Sequence, residues 1–359
     1  RMASVHHFAN VAFNSMRGGL FVSATEIDRD RFTDFLRARN RQVAARHEAT
    51  LAALPEMIDR SSLMDLVRST EDEQLIRLAL GYLPITFSRR HGDPSRPWNA
   101  FSIRVRDESG EPVVHYEGNW RDIFQNWEAL SMSVPEYLPS MVSIFLSAST
   151  GDGFNPYRIT SDGIDWEVPE PENPWSNIGY WGDHQIVYLT RLLTMTHRLQ
   201  PAALDSMMAQ RWFAYANVPY RLAPYSSLVA DPHATIDYDE PAEERILARV
   251  AEIGQDGKLM AAPDGDVYLV TMIEKLLVPV LAKLSNLVPG GGIWMNTQRP
   301  EWNDANNALV GNGLSMVTAY YLRRHLDEIA AMLERAQLES VDISREVVAW
   351  MDALADVFE

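Results

Sequence analysis

Apolar residues recur along most of this 359-residue chain at the three- and four-residue spacing that is typical of amphipathic helices. Between Ser62 and Leu83, for example, an apolar stripe passes through Leu66 and Leu75 while polar residues occupy the remaining face. The pattern predicts about ten helices. They span residues 29–54, 62–83, 120–132, 135–149, 184–199, 204–216, 241–253, 272–287, 314–336 and 344–358.

Alternation typical of strands is confined to short segments. Residues 100–105 and 113–116 predict a hairpin that turns over residues 107–112, and residues 267–270 predict one further strand. The predicted fold class is therefore mainly α. Helices joined by loops rich in Gly, Pro, Asn and Asp favour an (α/α)6-type toroid of helical hairpins with short β-hairpin insertions. No low-complexity tract, short repeat or linker interrupts the chain, so we expect residues 1–359 to form a single domain.

The charge balance limits the ligands that this protein can bind. Its 32 basic and 49 acidic residues give a net charge of −17, which disfavours nucleic acid and membrane surfaces and favours a neutral or cationic ligand. Because the chain has no Cys, disulfides, thiolate metal sites and a Cys nucleophile are excluded. It also lacks an apolar run of membrane-spanning length and a basic-then-apolar leader, so we expect a cytoplasmic protein.

Several common catalytic motifs are absent from the sequence. There is no phosphate-binding GxxxxGK loop, no GxGxxG after a predicted strand and no GxSxG nucleophile elbow. Histidines at the HExxH spacing are lacking, and the adjacent His6 and His7 would point apart in regular structure. We therefore expect neither a metal site nor a cofactor.

Four loops carry the residue types that a sugar-binding cleft requires. Indole faces stack on the C–H patches of sugar rings, while amides, carboxylates and guanidinium groups bind the hydroxyls. Arg90 and Trp98 are candidate substrate-binding residues of this kind. The alternative is that the tryptophans only fill space between helices. The loops rich in Trp, Asn, Arg, Asp and Gly span residues 89–99, 151–166, 171–183 and 289–307.

Carboxylates stand in aromatic and amide surroundings at two helix starts. Asn119 can cap a helix whose first turns carry Asp122 and, one turn beyond it, Gln125. Asp183 stands at the predicted start of an apolar helix, two residues after Trp181. Both aspartates are candidate substrate-binding residues, and an ordinary helix cap is the alternative for Asp183.

Residues 296–307 are the most informative segment, because every residue there except Ala305 is polar, aromatic or Pro. Glycosidic bond cleavage needs one protonated carboxyl to donate to the leaving oxygen and a second carboxylate that activates water or attacks. Crowding by Trp302 can desolvate Asp304 and favour its protonated form. Asp304 and Glu301 are therefore candidate catalytic residues, flanked by Trp302 and Asn303 as candidate binding residues. The alternative is that one carboxylate caps a helix and the asparagines form turns.

Taken in order, these segments resemble the catalytic domain of six-hairpin glycosidases, and most closely that of the cellobiose phosphorylase group. The similarity rests on Arg121-Asp122 with Gln125, the Gly–aromatic loop that ends at Asp183, and the run Glu301-Trp302-Asn303-Asp304. The resemblance implies that Asp304 is the proton donor and that Arg121, Asp122 and Asp183 belong to the sugar-binding subsite. It also implies an (α/α) toroid catalytic domain that acts on a neutral oligosaccharide or polysaccharide.

Two departures from that group leave the reaction type open. The group's phosphate-binding and general-base residues lie well downstream of the proton donor, whereas the residues after Asp304 predict only two plain helices. Glu301 also replaces the group's Asp. These departures, and the start at Arg1, fit a chain that is part of a longer polypeptide, or one in which an upstream residue such as Asp165 or Glu167 supplies the second group.

The residues favour an inverting hydrolase or transglycosylase over a phosphorylase. Debranching-type glucosidases share the Asp304-Ala305 element, which keeps hydrolysis open. Candidate phosphate ligands are few, namely Arg89, Arg90, His91 and Arg299. A noncatalytic glycan-binding domain is the alternative from another class. A polysaccharide lyase is a third, disfavoured because the net charge repels polyanionic substrates.

Overall fold

A computed structural model of the chain describes residues 20–23, 26–86, 106–156, 158–169, 183–232, 234–296 and 309–359, with a few isolated positions besides. The described part is mainly helical, as the sequence predicts. Within these ranges, no helix combines the length and the apolar character that crossing a bilayer requires. The helices are α1 (Arg29–Arg39), α2 (Arg41–Arg46), α3 (Glu48–Ala52), α4 (Arg60–Arg68), α5 (Glu73–Leu80), α6 (Trp120–Ser131), α7 (Leu138–Ser147), α8 (Asp183–Leu199), α9 (Pro201–Met207), α10 (Tyr225–Ala230), α11 (Glu240–Ile253), α12 (Met272–Leu284), α13 (Met316–Ala336) and α14 (Arg345–Phe358), with 3-10 turns at Pro135–Tyr137 and Gln255–Lys258.

The strands are short and pair antiparallel in small sheets. Among the described residues, one sheet has three strands in the order β5-β6-β7, and the others are pairs: β1-β4, β2-β3, β8-β11, β9-β10 and β12-β13. The strands are β1 (Leu20–Phe21), β2 (Glu26–Asp28), β3 (Met57–Asp59), β4 (Ile85–Thr86), β5 (Glu117–Asn119), β6 (Arg158–Thr160), β7 (Gly163–Asp165), β8 (Phe213–Ala214), β9 (Tyr220–Leu222), β10 (Ile236–Tyr238), β11 (Leu269–Val270), β12 (Ile293–Trp294) and β13 (Leu314–Ser315).

Polar side chains at the helix starts explain where several helices begin. In each case the side-chain oxygen accepts a hydrogen bond from a backbone amide of the first turn, which satisfies a donor that has no partner within the helix. The capping residues are Asp28, Asn40, Asp59, Asp72, Asp239, Thr271 and Ser315.

Two predicted helices are subdivided. The prediction of one helix over residues 29–54 is wrong, because the segment forms α1, α2 and α3. Asn40 adopts an extended backbone with φ −152° and its side chain accepts from the Val43 amide, so one helix ends there and the next begins. Residues 62–83 likewise form α4 and α5, because Asp72 caps a new helix instead of continuing the old one. Local side-chain hydrogen bonds compete here with helix propagation.

The predicted helix over residues 204–216 is wrong in its second half. Helix α9 ends at Met207, and Phe213–Ala214 pairs with Leu269–Val270 as strands β8 and β11. The strand predicted at 267–270 is thereby confirmed. Of the hairpin predicted over 100–116, most of the first strand lies outside the described residues. Arg106 and Pro112 form an antiparallel bridge across residues 107–112, so the predicted turn is confirmed. In place of the second strand, His115 bridges Thr86 and the neighbouring residues 117–119 form β5.

A buried core joins the helices from Ile27 in the first sheet to Val347 in the last helix. Its largest fully buried side chains include Trp127, Phe124 and Phe145. Trp127 packs edge-to-face on Phe145, with ring centroids 5.6 Å apart, so α6 and α7 share this core.

A charged joint fastens α1, α2 and α5 to the end of α11 and the turn that follows it. Arg39 of α1 and Arg77 of α5 pair with Asp256 of that turn. The Arg41 guanidinium donates to the carbonyls of Val250, Ala251 and Glu252 in the last turn of α11, where helix carbonyls lack partners within the helix. Gly254 follows at φ 107°, where a Cβ would lie 2.6 Å from the Ala38 carbonyl oxygen. Only glycine therefore allows this approach between the two segments.

Candidate functional site

Helices α6 and α8 lie side by side and run in the same direction. The Phe124 and Tyr188 rings, near the two helix starts, stack with centroids 4.7 Å apart. One turn further along each helix, Arg191 Nη2 donates to Glu128 Oε1 at 2.5 Å. In each contact, the α6 residue is about as many positions from Trp120, where α6 begins, as the α8 residue is from Asp183, where α8 begins. The N-termini of α6 and α8 are therefore level with each other at the same end of the helix pair.

Helix α13 runs parallel to α8 on another side. Thr190 Oγ1 contacts His325 Nδ1 at 2.8 Å, and Thr194 Oγ1 donates to Glu328 Oε2 at 2.9 Å. A step forward along α8, from Thr190 to Thr194, is also a step forward along α13, from His325 to Glu328, so the two helices are parallel. Helix α13 therefore begins at the same end as α6 and α8.

The described residues on both sides of segment 297–308 belong to a hairpin that leads into α13. Strands β12 and β13 pair Ile293 with Ser315 and Trp294 with Leu314, and Ser315 is the residue that caps α13. The Met295 amide continues the pairing by donating to the Gly313 carbonyl at 3.1 Å. The ends of this segment are thus anchored beside the start of α13.

The backbone of α6 and α8 carries four of the predicted site residues. Arg121, Asp122 and Gln125 lie in the first two turns of α6, and Asp183 is the first residue of α8. The parallel packing of the two helices thus brings these four positions to one end. The other predicted site residues lie outside the described residues: Arg90, Trp98, Trp181, Glu301, Trp302, Asn303 and Asp304. The candidate phosphate ligands Arg89, His91 and Arg299 lie there too.

A row of charged side chains crosses the three-stranded sheet that leads into α6. Asn119, the last residue of β5, pairs with Arg158 of β6, which pairs with Asp165 of β7. Arg158 Nη1 donates to Glu117 Oε1 at 2.8 Å and its Nε donates to Asp165 Oδ2 at 2.9 Å. This row of Glu117, Arg158 and Asp165 fixes the sheet immediately before the helix that carries Arg121 and Asp122.

Lys258 contacts the same row from the 3-10 turn after α11. Its Nζ donates to the Ile164 carbonyl at 3.1 Å, lies 3.5 Å from Asp165 Oδ1, and sits 5.1 Å from the centre of the Trp166 ring. Two cations therefore hold the Asp165 carboxylate, an arrangement that favours a structural ion pair over a base that activates water. Sequence reasoning did not find Arg158 or Lys258, because three-residue strands give no local signal of which side chains meet across them.

Glu167, the other upstream carboxylate proposed as a second catalytic group, follows the same sheet. Its backbone carbonyl accepts a hydrogen bond from Tyr220 Oη at 2.6 Å, which fixes the chain at this point. Burial raises the pKa of Tyr220 well above its ordinary value of 10, so the phenol stays protonated and keeps donating.

The amine of Lys275 is a polar group buried in the core near the start of α12. Lys275 is fully buried; its Nζ donates to the Ser149 carbonyl at 3.0 Å and lies 3.6 Å from the centre of the Tyr215 ring. Tyr215 Oη in turn donates to Glu274 Oε1 at 2.8 Å. Burial lowers the pKa of Lys275 well below its usual value. With no exposed surface, this amine is out of reach of a substrate and serves the packing of α12.

In the described ranges, no cluster of three or more His, Asp or Glu side chains is arranged to hold a metal ion. Arg121, Asp122 and Asp183, whose backbones lie at two helix starts, are of the carboxylate and guanidinium types. Such groups bind sugar hydroxyls through bidentate and charge-assisted hydrogen bonds.

Comparison with known families gives one match. The family model of glycoside hydrolase family 149 insertion domain 1 matches residues 23–84. These residues hold helices α1 to α5, on one side of the charged joint. The match covers well under half of the chain and excludes all the predicted site residues, yet it supports a glycoside hydrolase-family protein that acts on a glycan. No curated protein sequence matches the chain.

Proposed function

We propose that this protein cleaves a glycosidic bond in a neutral oligosaccharide or polysaccharide, at the end of the molecule where α6, α8 and α13 begin. The observation that carries the proposal is the parallel packing of these helices, marked by the contacts of Phe124 with Tyr188 and of Thr190 with His325. This packing supports the proposal because Asp122 and Asp183 belong to the starts of two parallel helices, and the hairpin whose strands flank residues 297–308 leads into the start of the third. The family 149 match of residues 23–84 supports the same substrate class.

In this proposal Asp304 is the general acid that protonates the leaving glycosidic oxygen. Glu301 is the second carboxylate of the segment, and water or an acceptor sugar attacks from the opposite face with inversion at the anomeric carbon. The remaining residues bind the sugar. Their carboxylates and amides form hydrogen bonds with the hydroxyls of the sugar, and their indoles stack on its rings. These residues are Arg90, Trp98, Arg121, Asp122, Gln125, Trp181, Asp183, Trp302 and Asn303. An (α/α) toroid formed by residues 1–359 is the architecture that we propose for this site.

The deciding variant is Asp304→Asn, which keeps the shape of the side chain and removes its acidic proton. We expect turnover of short neutral gluco-oligosaccharides to fall by about a thousandfold while their binding, measured by calorimetry, is retained. Asp65→Asn is the matched control, since that carboxylate is 75% exposed on α4 and should leave turnover unchanged. Full activity of Asp304→Asn would overturn the assignment. Binding without turnover by the unaltered protein would favour a noncatalytic glycan-binding role.

Phosphorolysis is the second candidate, favoured by the similarity of the motif order to the cellobiose phosphorylase group. The two reactions differ in the attacking group, so one assay with and without inorganic phosphate separates them. Free sugar of inverted anomeric configuration, released without phosphate, would support hydrolysis. Sugar 1-phosphate formed only when phosphate is present would instead establish phosphorolysis.

A further inference from the structure

A small cavity lies where the family-matched segment meets the rest of the molecule. Its volume is about 40 Å³. Helices α1 and α5 line one side, and helix α7 with strands β6 and β7 lines the other. The lining includes six side chains that can form hydrogen bonds: Arg39, Arg77, Ser143, Ser147, Thr160 and Gln255.

The charges around this cavity are out of balance in favour of the cations. Arg39 and Arg77 both line it, and both pair with the single carboxylate of Asp256. In a chain whose net charge is −17, such a local excess of positive charge needs a reason.

Each of the two arginines that line the cavity also has an N–H group without a hydrogen-bond acceptor. Arg77 is only 4% exposed, and although its two terminal nitrogens bond to Asp256, its Nε is buried without a partner. Arg39 Nε lies 3.6 Å from Asp256 Oδ1, an ion-pair contact that is too long for a hydrogen bond, so this buried N–H also lacks an acceptor at bonding distance. A buried N–H without an acceptor costs about 1–3 kcal/mol, so a missing acceptor is the natural explanation.

We propose that this cavity binds a small inorganic oxyanion of the phosphate or sulfate type. The volume corresponds to about three water-sized sites, which suits an oxyanion and is too small for a sugar ring. Guanidinium groups are preferred partners of such oxyanions, and the hydroxyls of Ser143 and Ser147, which also line the cavity, supply further donors. Gly163 leaves the Arg39 guanidinium open on one side, since a Cβ there would lie 3.1 Å from Arg39 Nη1.

The anion would act as a bridge, because its ligands come from both sides of the charged joint. Bound to Arg39 and Arg77 on one side and to the serines of α7 on the other, it would stabilise the docking of residues 23–84. This site is independent of the proposed glycosidase activity, and its test needs no substrate.

Calorimetry with inorganic phosphate on the full chain tests the site, with chloride at equal ionic strength as the reference. We expect phosphate to bind to one such site and to raise the melting temperature, and Arg39→Gln to weaken that binding at least tenfold. Arg39 is preferred to Arg77 for this variant because it is 19% exposed and contributes less to the buried ion pair. Arg37→Gln on the same helix is the matched control, since that side chain is 59% exposed and lies outside the cavity.

Crystals soaked in selenate locate the anion directly. An anomalous peak between Arg39 and Arg77 would support the proposal. Water alone in the cavity, no binding of phosphate, or binding that Arg39→Gln leaves unchanged would each overturn it. The Asp304→Asn result is independent of all these outcomes, so failure here would leave the proposed function standing.

Discussion

Arg77 and Asp256 form a buried ion pair although 179 residues separate them in the sequence, with Arg77 Nη1 3.3 Å from Asp256 Oδ1. Asn40 Nδ2 adds a hydrogen bond to Asp256 Oδ2 at 3.1 Å, and Arg39 approaches the same carboxylate. Burial by itself raises the pKa of Asp256, but the charges of Arg77 and Arg39 outweigh it and hold the pKa below the ordinary 3.8. The joint therefore depends on an ionised aspartate.

Replacing Asp256 with Asn should destabilise the protein by about 3–5 kcal/mol, because Arg77 would remain buried without its counter-charge. Urea unfolding measures the change, and Asp65→Asn, on the exposed face of α4, should shift it by less than about 0.5 kcal/mol. Since the folded pKa is lowered, the contribution of Asp256 is present above the unfolded pKa and is lost as the pH falls through the folded one. A loss below about 1 kcal/mol at neutral pH would contradict this account.

Replacing Lys275 with Met should raise the free energy of unfolding at pH 7 by about 1 kcal/mol or more. The apolar side chain removes the cost of burying an amine, and the Ser149 carbonyl still accepts from the Ala216 amide at 2.9 Å. The folded pKa of Lys275 is lowered, so the unfolded state takes up the extra proton as the pH falls from about 10.4. The advantage of Lys275→Met over the unaltered protein should therefore grow from pH 10.5 towards pH 7.

Lys258→Met is the control for that comparison. Its ammonium is 14% exposed and paired with Asp165, so its removal should give no gain in stability. Destabilisation by Lys275→Met would show that the contact with the Tyr215 ring outweighs the cost of burial.

His325, in the interface of α8 and α13, should make the protein less stable in weak acid. Burial lowers the pKa of His325 from 6.5 to about 4. Between these two values the unfolded state binds a proton that the folded state does not, so stability falls as the pH drops from about 6.5 to 4. The full effect is about 3 kcal/mol. Unfolding curves at several pH values should show this slope in the unaltered protein and its loss in His325→Gln; an equal slope in both would refute the assignment.

Asp122→Asn and Asp183→Asn test whether the starts of α6 and α8 serve one subsite. Each change should lower kcat/KM for a neutral oligosaccharide tenfold or more, since each removes a charge-assisted hydrogen bond to a hydroxyl. If both carboxylates hold the same sugar ring, the double variant should lose less than the sum of the two, by at least about 0.5 kcal/mol. Additive losses would place the two residues at separate subsites.

The sequence predicts long helices well where one apolar stripe is unbroken. Helices α6, α8 and α13 begin and end within two residues of their predicted bounds. The predictions fail where one hydrogen bond decides the outcome. The Asn40 side chain ends α1 by bonding to the Val43 amide, and nothing in the apolar spacing distinguishes it from a polar residue on the helix surface.

Non-local pairing explains the other failures. Phe213–Ala214 continues a helical pattern but finds its partner more than fifty residues away, in Leu269–Val270, and sheet pairing overrides local preference. For the same reason, the contacts of Arg158 with Glu117 and Asp165 could not be predicted. What sequence did predict is that Asp122 and Asp183 stand at helix starts; that these helices are parallel neighbours follows only from their packing.

The contact of the Arg41 guanidinium with the carbonyls at the end of α11 also affects how the chain folds. Its guanidinium reaches carbonyls that follow it by 209–211 positions, so the contact forms only after a loop of that length has closed. Closing so long a loop is entropically costly, and contacts of this kind slow folding. We expect the segment of α1 to α5 to acquire its helices early from local contacts and to dock late. The amide protons at the end of α11 would then gain their protection from hydrogen exchange in the last phase of refolding.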